Sequence, residues 1–269
     1  MNRDDDDGAG LFSPWSELQA LLRNYIPLLP EEVDVMKVEK VLDAGCGGGQ
    51  WVRDLASNYP LIKVVGLDHD AEAIRYASQL AHIYGQANAT FIAGDFYHMS
   101  EFEDSSFDVV HARFLSLVVP LARWTEFMNE CLRVCRPGGH IIITEASFPQ
   151  TSSMAWFAWG QFLEQGFKRM GCQPFEVQRA SSELKLPSWS ILRKHLQFID
   201  LAAGAYAHDW LYLHAPRLLE ASKTFLLRSG VVNGERVVEQ LCRNVFADLC
   251  DDTFTGRWIV STLVSQKSS

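Results

Sequence analysis

The feature that most constrains the fold of this chain is a buried-strand pattern that runs into three alternating glycines and then into a helical pattern. Val38–Asp43 is the expected strand, Gly45, Gly47 and Gly49 alternate after it, and apolar residues at helical spacing begin at Trp51. Glycines in such a turn let the backbone reverse tightly and approach a ligand closely, because no Cβ intervenes. The N–H groups that open the next helix attract anionic or polar groups. The segment therefore predicts a ligand site at the carboxyl end of a strand.

Strand and helix patterns alternate through the first half of the chain. The other expected strands are Ile62–Asp68, Thr90–Ala93, Phe107–His111 and His140–Glu145, and the expected helices are Trp51–Asn58, Ala71–Tyr84 and Leu121–Cys135. Strands that alternate with helices predict an α/β fold, in which a mostly parallel sheet carries helices on both faces.

The second half of the chain is richer in helical patterns. We expect helices over Ser152–Met170, Ser188–Gln197, Leu211–Arg228 and Glu235–Leu249, and closing strands over Phe198–His208 and Arg257–Ser265. The connection between the closing strands is far longer than a hairpin needs, which predicts an inserted helical cap. The expected organisation is a tail and lid helix over residues 1–36 and a core over residues 37–269, with cap insertions at about 150–196 and 209–255.

Charge and cysteine content narrow the class of protein. The formal net charge of −9 disfavours a nucleic-acid partner, and no apolar run approaches the roughly 20 residues that span a bilayer. The N-terminus has no apolar leader and opens with Asp4–Asp7, which we interpret as a solvated tail rather than a metal site. The six cysteines form neither a CxxC pair nor a zinc-ligand spacing. We therefore expect a cytoplasmic protein with reduced thiols, no membrane span and no bound metal.

Residues next to the glycines distinguish between the ligands that such loops bind. A dinucleotide loop of the GxGxxG type requires glycine at position 50, where this chain has Gln50. Asp43 lies two residues before the first glycine, where a carboxylate repels a pyrophosphate but attracts an ammonium group. Both observations disfavour a nicotinamide-dependent oxidoreductase, which is the first alternative class.

Two further acidic residues follow the next expected strands. Asp68 ends the second strand, where a carboxylate accepts hydrogen bonds from both hydroxyls of a ribose. The alternative is that Asp68 caps the following helix, for which Asp70 is the better candidate. Gly94, Asp95 and Phe96 follow the third strand, and the Asp95 carboxylate with the Phe96 N–H suits the edge of an adenine.

Five segments, in this order and spacing, resemble the class I S-adenosylmethionine-dependent methyltransferases, specifically the quinone and small-molecule C- and O-methyltransferases. They are VLDAGCGGGQWV, VVGLDHD, AGDF, FDVVHARFLSLVV and RVCRPGGHIIITEASF, which together cover Val38–Phe148. The resemblance implies a Rossmann-like sheet of seven strands, of which the seventh is antiparallel. It also implies S-adenosylmethionine as the cofactor and a small molecule as the methyl acceptor.

The resemblance also implies a set of cofactor-binding residues, which are Asp43, Gly45, Cys46, Gly47, Asp68, His69, Gly94, Asp95, Phe96, His111, Ala112 and Arg113. Asp43 and the glycine loop would hold the amino-acid end of the cofactor, and Asp68 the ribose, with His69 near the adenine. Residues 111–113 would pass close to the sulfonium. Trp15 or Tyr25 of the N-terminal segment is expected to close over the cofactor.

Candidates for a catalytic base are His111 and Glu145, because both are expected at carboxyl ends of central strands. Each has a structural alternative: His111 contributes backbone alone, or Glu145 caps the turn before Pro149. His195, His208 and His214 are further candidates. The second half also supplies aromatic residues for an apolar acceptor pocket, namely Trp156, Phe157, Trp159, Phe162, Phe167, Trp189, Phe198, Tyr206, Trp210 and Tyr212.

Two family patterns are missing from the chain. No [DN]PP[YF] follows the fourth strand, where the chain has His111-Ala112-Arg113-Phe114, which disfavours methylation of nitrogens in DNA or protein glutamine. A divalent-metal carboxylate set is also missing. Besides methyl transfer, a non-methylating cyclase-like or regulatory role of the same cofactor-binding fold stays open, whereas methylation of a macromolecule is disfavoured by the net charge and the expected cap.

Overall fold

A computed structural model describes residues 21–172 and 189–268 of the chain, and in these ranges one mixed sheet carries helices on both faces. The strands are β1 (Lys40–Ala44), β2 (Lys63–Asp68), β3 (Ala89–Ala93), β4 (Phe107–Arg113), β5 (Cys135–Ala146), β6 (Gln150–Thr151), β7 (Trp189–Asp200) and β8 (Gly256–Lys267). The helices are α1 (Gln50–Asn58), α2 (Ala71–Ile83), α3 (Trp124–Val134), α4 (Met154–Arg169), α5 (Tyr206–Arg228) and α6 (Glu235–Leu249), with short 3-10 turns at Val35–Lys37, Leu115–Leu117 and Leu121–Arg123.

The strand order confirms the predicted Rossmann-like sheet. The strands lie in the order β3-β2-β1-β4-β5-β8. Both β7 and the two-residue β6 also pair with β8. The pairs β3–β2, β2–β1, β1–β4 and β4–β5 are parallel, whereas β8 is antiparallel to both β5 and β7. Apart from β6, the described sheet therefore has seven strands, with the last one in sequence antiparallel.

Successive residues of the central strands face two separate cores, as expected for strands buried on both sides. Val41 and Val109 point into a cluster with Trp51 of α1. Leu42 and Val110 point into a second cluster, which contains the apolar face of α3. The sheet is thus covered on both faces at β1 and β4, and the carboxyl ends of these strands are left to form a site.

Two expectations for the second half of the chain are wrong. The helix expected over Ser188–Gln197 is β7, and the strand expected over Phe198–His208 ends at Asp200 and gives way to α5. The pairing of β7 with β8 shifts register between Ile191 and Arg193, which is a β-bulge or similar irregularity. Because an extra residue breaks the period-two alternation of a strand, the apolar residues of β7 fall at a spacing that resembles a helix.

The first cap insertion is therefore shorter than expected from its boundaries at 150–196, because residues 189–196 belong to the sheet. The second contains α5 and α6, and α5 begins three residues before the expected boundary at 209. Helices α4, α5 and α6 share one apolar cluster with Ile199 of β7 and Trp258 of β8. Trp15 lies outside the described residues, as do residues 173–188. Over the described ranges, no helix is both long enough and apolar enough to cross a membrane.

Candidate cofactor and acceptor site

The loop after β1 is fastened to the end of β2. The N–H groups of Gly45 and Cys46 both donate to the Leu67 carbonyl, at 2.8 and 3.0 Å. The N–H of Gly47 donates to Asp68 Oδ2 at 2.7 Å, and the N–H of Asp70 donates to Asp68 Oδ1 at 3.0 Å. The two regions that the sequence assigned to one ligand are thus in direct contact, with the Asp68 carboxylate at their junction.

Asp68 is buried but remains charged. Burial alone would raise the pKa of its carboxyl, but hydrogen bonds from His69 and from the N–H groups of Asp70 and Gly47 together lower that pKa. His69 Nδ1 lies 3.1 Å from Asp68 Oδ1, and this contact raises the pKa of His69. A carboxylate has about four acceptor sites and three are used here, so Asp68 can still accept one hydrogen bond from a sugar hydroxyl. Asp70, as expected, caps α2 by accepting from the N–H groups of residues 72 and 73.

Gly49 fits its position because of both its backbone and its lack of a side chain. Its φ is 70°, and a Cβ there would collide with Phe91 and Ala77. Replacing Gly49 by alanine is expected to lower the free energy of unfolding by about 2–5 kcal/mol, from backbone strain and overpacking together. Gly85 has a similar φ of 67° but open space around it, so Gly85→Ala reports backbone strain alone, at about 1 kcal/mol. Urea unfolding measures both, and equal losses would contradict the steric part of the argument.

The third predicted segment lies beside the first two. The N–H of Gly94 donates to the Asp68 carbonyl at 2.9 Å, and a Cβ on Gly94 would come within 2.8 Å of a Leu67 methyl. The buried Phe96 ring meets the His69 ring edge-on, with centroids 6.5 Å apart. Asp95 is exposed and accepts from the N–H of Tyr97. His69, Asp95 and Phe96 therefore lie together at the carboxyl ends of β2 and β3.

Asp43 contacts His111, a pairing that the sequence did not predict. His111 Nδ1 lies 2.9 Å from Asp43 Oδ1, both side chains are buried, and the two residues are register partners of β1 and β4. The Trp51 ring stacks on the imidazole at 3.8 Å and 11°. Burial lowers the pKa of His111, although the hydrogen bond to Asp43 opposes the shift. His111 is thus a neutral, oriented ring that donates to Asp43.

Arg113 ends β4 with unused hydrogen-bonding capacity. Its Nε is buried without a hydrogen-bond partner, and its guanidinium lies 5.7 Å from the Trp51 ring centroid. Burial lowers the pKa of Arg113 to about 10, with Asp43 and Asp54 opposing the shift, so the side chain stays cationic at neutral pH. It borders a small cleft together with Gln50 and His111. A partly buried cation with a free N–H suits a carboxylate ligand.

Glu145 has a defined structural role that differs from the expected one. It accepts hydrogen bonds from the N–H groups of Leu115 and Ser116, at 2.9 and 3.1 Å, and from the Ser116 hydroxyl at 2.7 Å. It therefore holds the Leu115–Leu117 turn after β4, rather than a turn before Pro149. Burial raises the pKa of the Glu145 carboxyl to about 8, against these three hydrogen bonds.

An apolar cavity of about 140 Å³ lies between the ends of β4 and β5 and the helices α4 and α5; we call it the cap cavity. Its main lining residues are Phe114, Ser116, Leu117, Glu145, Phe148, Trp156, Trp159, Leu163, Phe167, Trp210, Leu211, Phe225 and Trp258. Four of the aromatic residues expected to form an acceptor pocket are among them: Trp156, Trp159, Phe167 and Trp210. By contrast, Phe157, Phe198, Tyr206 and Tyr212 are largely exposed.

The remaining histidine candidates do not line the cap cavity, although His214 stacks on Trp210 of its wall with ring centroids 4.3 Å apart. His195 Nε2 contacts Glu32 at 3.0 Å, and His208 Nε2 contacts the Leu249 carbonyl at 3.0 Å. His111 borders a different cleft of about 460 Å³, together with Tyr25 of the N-terminal segment. In the described ranges, no group of three or more histidine, cysteine or acidic residues is arranged to hold a metal ion.

Comparison with known proteins identifies a methyltransferase domain in the chain. Residues 41–139 match a family model described as a methyltransferase domain. The chain is 27% identical over 205 residues to a fatty-acid O-methyltransferase of Mycolicibacterium smegmatis, covering 76% of this chain and 70% of that protein. It is 32% identical over 150 residues to a demethylmenaquinone methyltransferase of Lactococcus lactis, covering 55% and 56%. A sterol 24-C-methyltransferase of Neurospora crassa is 31% identical over 129 residues, which are 48% of this chain and 33% of that protein.

Solved structures share the fold over nearly the whole chain. A putative sarcosine dimethylglycine methyltransferase from Galdieria sulphuraria superposes with a TM-score of 0.53 at 18% identity, covering 99% of this chain and 89% of that one. The [4+2]-cyclase SpnF gives a TM-score of 0.55 at 17% identity, covering 98% and 86%. The domain match, the curated relatives and the glycine-loop geometry agree with the resemblance in the motifs. Together they support a class I S-adenosylmethionine-dependent methyltransferase, with the methyltransferase domain matched over residues 41–139.

Proposed function

We propose that the protein methylates a small, apolar or aromatic molecule that lies in the cap cavity. The observation that carries the proposal is the position of this cavity. Its wall includes Phe114, which directly follows Arg113 at the end of β4, the segment expected beside the reacting methyl group. Apart from Glu145, the described wall carries no ionisable side chain. Such a wall suits an acceptor with an apolar body.

The described residues fit the cofactor of the family. The glycines of residues 45–49 allow close approach of a ligand, and Asp68 offers a charged acceptor for ribose hydroxyls. The unpartnered Nε of Arg113 suits the carboxylate of the methionine end, and Asp95 with Phe96 suits the adenine. When bound there, S-adenosylmethionine supplies a methyl group on a sulfonium sulfur, which keeps the bonding electron pair when the methyl is transferred.

The side chains around the cap cavity would act mainly by positioning the acceptor and excluding water. Holding a nucleophile in line with a methyl group contributes roughly 7–11 kcal/mol to lowering a barrier. Glu145 is the ionisable group at the cavity, and as a carboxylate it would take the proton that an acceptor hydroxyl loses. His111 does not border this cavity, so we assign it a positioning role through Asp43 and Trp51.

The relatives support the choice of acceptor class. Their names give a fatty acid, a sterol and demethylmenaquinone as substrates, and these molecules share a large apolar part. The chain spans 70% of the first of these relatives, about half of the menaquinone enzyme and a third of the sterol enzyme. The acceptor of this chain therefore stands as our proposal, supported by the cavity.

The direct test is methyl transfer by the purified protein. Isotopically labelled S-adenosylmethionine is incubated with a panel of phenols, quinols, fatty acids and charged amines, and the labelled products and S-adenosylhomocysteine are measured by mass spectrometry. We expect equimolar product and S-adenosylhomocysteine with apolar acceptors, and at subsaturating cofactor at least about tenfold less of both with the Asp68→Ala variant. Turnover of charged amines alone would contradict the apolar acceptor, and no turnover of the panel would contradict the proposal.

A second candidate is a reaction other than methylation, such as a cyclisation, or a regulatory role. It is kept because the [4+2]-cyclase SpnF shares this fold, although the likeness extends to the fold alone. Product formation without release of S-adenosylhomocysteine would favour it. We also propose that the protein works in the cytoplasm without a nucleic-acid partner, since its six cysteines are free thiols and its net charge is −9.

A further inference from the structure

The turn after β4 begins at a residue with a strained backbone. Phe114 lies in the left-handed region, with φ 56° and ψ 31°. Within residues 21–172 and 189–268, the one other non-glycine residue with positive φ is Ser105, in an exposed turn. The left-handed region is costly for a bulky residue, because its Cβ comes close to the following carbonyl oxygen. Residues held in this way cluster at functional sites.

The turn requires this backbone conformation but not the phenylalanine side chain. The Phe114 N–H donates to the Thr144 carbonyl at 2.9 Å. The N–H groups of Leu115 and Ser116 both donate to Glu145 Oε1, and successive N–H groups beside a left-handed residue form such an anion-binding turn. Glycine would allow the same turn without strain. The presence of phenylalanine therefore indicates a role for its ring.

The ring of Phe114 belongs to the wall of the cap cavity. The side chain packs against the apolar cluster that contains Trp156 and Trp159, and it is only half-buried, so part of its surface is accessible. The Arg113 guanidinium lies over the ring, 5.9 Å from its centroid, and Arg113 borders the small cleft with Gln50. Phe114 is thus the wall residue next in sequence to the expected cofactor site.

Most of the other aromatic residues of the wall already have a ring partner. The pairs are Phe167 with Phe225, Trp210 with His214, and Trp156 with Trp159. Phe114 contacts no other aromatic ring in the described part of the chain, so one of its faces can receive a ligand. An aromatic face favours a flat ring over a saturated one, because the two π-systems attract each other beyond the effect of buried area.

We infer that Phe114 makes the cap cavity select flat aromatic acceptors over saturated rings of the same size, by stacking on the acceptor beside the expected position of the methyl group. The inference names the acceptor class for the proposed function and rests on it. The cavity volume of about 140 Å³ is close to that of a cavity that holds benzene, so an acceptor with one ring is the expected size.

The test compares benzyl alcohol with cyclohexylmethanol, which share a hydroxymethyl group and differ in the ring. NMR titration of the purified protein gives the ratio of their dissociation constants. We expect the preference for benzyl alcohol to fall about threefold to tenfold in Phe114→Leu, as loss of one stacked pair implies. It should change less than about twofold in Phe102→Leu, because Phe102 packs on Phe107 in the other core cluster.

Phe148→Leu separates a specific role of Phe114 from a general effect of aromatic residues, because Phe148 also borders the cap cavity. We expect a smaller fall in Phe148→Leu than in Phe114→Leu. Equal falls in these two variants, an unchanged ratio in Phe114→Leu, or no binding of either probe would overturn the inference.

Two further measurements cover the case in which Phe114→Leu folds poorly. In the wild type, nuclear Overhauser effects should connect the ring protons of benzyl alcohol with those of Phe114, and their absence would overturn the inference. Phe114→Gly should unfold at a higher urea concentration than Phe114→Ala, with the opposite order at Phe102, where φ is negative. The same order at both positions would also overturn it. None of these measurements uses methyl transfer, so failure of the proposed function is distinguishable from failure of this inference.

Discussion

Replacing Asp68 by alanine is expected to weaken the binding of S-adenosylhomocysteine by about 10-fold to 100-fold. Gly47, Asp70 and His69 occupy three of the roughly four acceptor sites of its charged carboxylate, which leaves one for a ribose hydroxyl. A hydrogen bond to a charged group contributes about 1.5–3 kcal/mol, which corresponds to roughly one to two orders of magnitude in affinity. The change also removes the acceptor of the Gly47 N–H, so the loop itself loses its fastening to β2. Calorimetric titration with S-adenosylhomocysteine measures the effect.

Asp70 provides the matched control two residues away. Its carboxylate caps α2 through the N–H groups of residues 72 and 73 and has no contact with the glycine loop among its described hydrogen bonds. Asp70→Ala should therefore lower the free energy of unfolding by about 1 kcal/mol and leave affinity for S-adenosylhomocysteine within a few-fold. Equal affinity losses in the two variants, or unchanged affinity in Asp68→Ala, would refute the assignment of Asp68.

The second large effect is a dependence of stability on pH that Glu145 imposes. Its pKa is about 8 in the folded protein and 4.5 in the reference state, so the folded protein binds the proton more tightly. The stabilisation that follows is fully present below pH 4.5 and is lost as the pH rises towards 8. Relative to Glu145→Gln, the wild type should lose about 3 kcal/mol of unfolding free energy between pH 5 and pH 8.

Urea unfolding at several pH values tests this, with Glu126→Gln as the control. Glu126 is partly exposed and pairs with Arg123, which lowers its pKa, so its contribution is lost as the pH falls rather than as it rises. Parallel pH profiles for the wild type and Glu145→Gln would contradict the raised pKa. If Glu145 is also the base, kcat should rise with pH towards a plateau above about 8 and be low and flat in Glu145→Gln.

The sequence predicts the strands and caps of the first half well because their signals are local. Asp70 caps α2 as expected, since a side chain that bonds N–H groups two and three residues ahead depends on sequence neighbours alone. The pairing of Asp43 with His111 joins residues 68 positions apart and depends on the register of β1 against β4. The three hydrogen bonds of Glu145 likewise require the turn after β4 to lie over β5. The sequence around Glu145 does not predict this arrangement, because the partners are about 30 residues away.

Strand β7 is the element that the sequence predicted wrongly, as a helix. Its residues Ile191, Leu192 and Leu196 are 40–45% exposed, so burial does not impose a clear alternation on the sequence. The irregularity after Ile191 then shifts the apolar positions into a helical spacing. What holds β7 in the sheet is pairing with β8, more than fifty residues further along the chain, and that information is absent from the segment itself.

The Leu115–Leu117 turn lies between the glycine loop and the cap cavity and contacts both. The Leu115 side chain occupies the space that a Cβ on Gly45 would fill, while Ser116 and Leu117 border the cap cavity on the other side. A substitution in this turn made to alter acceptor choice would therefore disturb the packing against the glycine loop as well. Substitutions meant to change the range of acceptors should begin at Leu163 of α4 or Phe225 of α5. These residues line the cap cavity on the helix side, so the shape of the cavity can change while the Leu115–Leu117 turn stays intact.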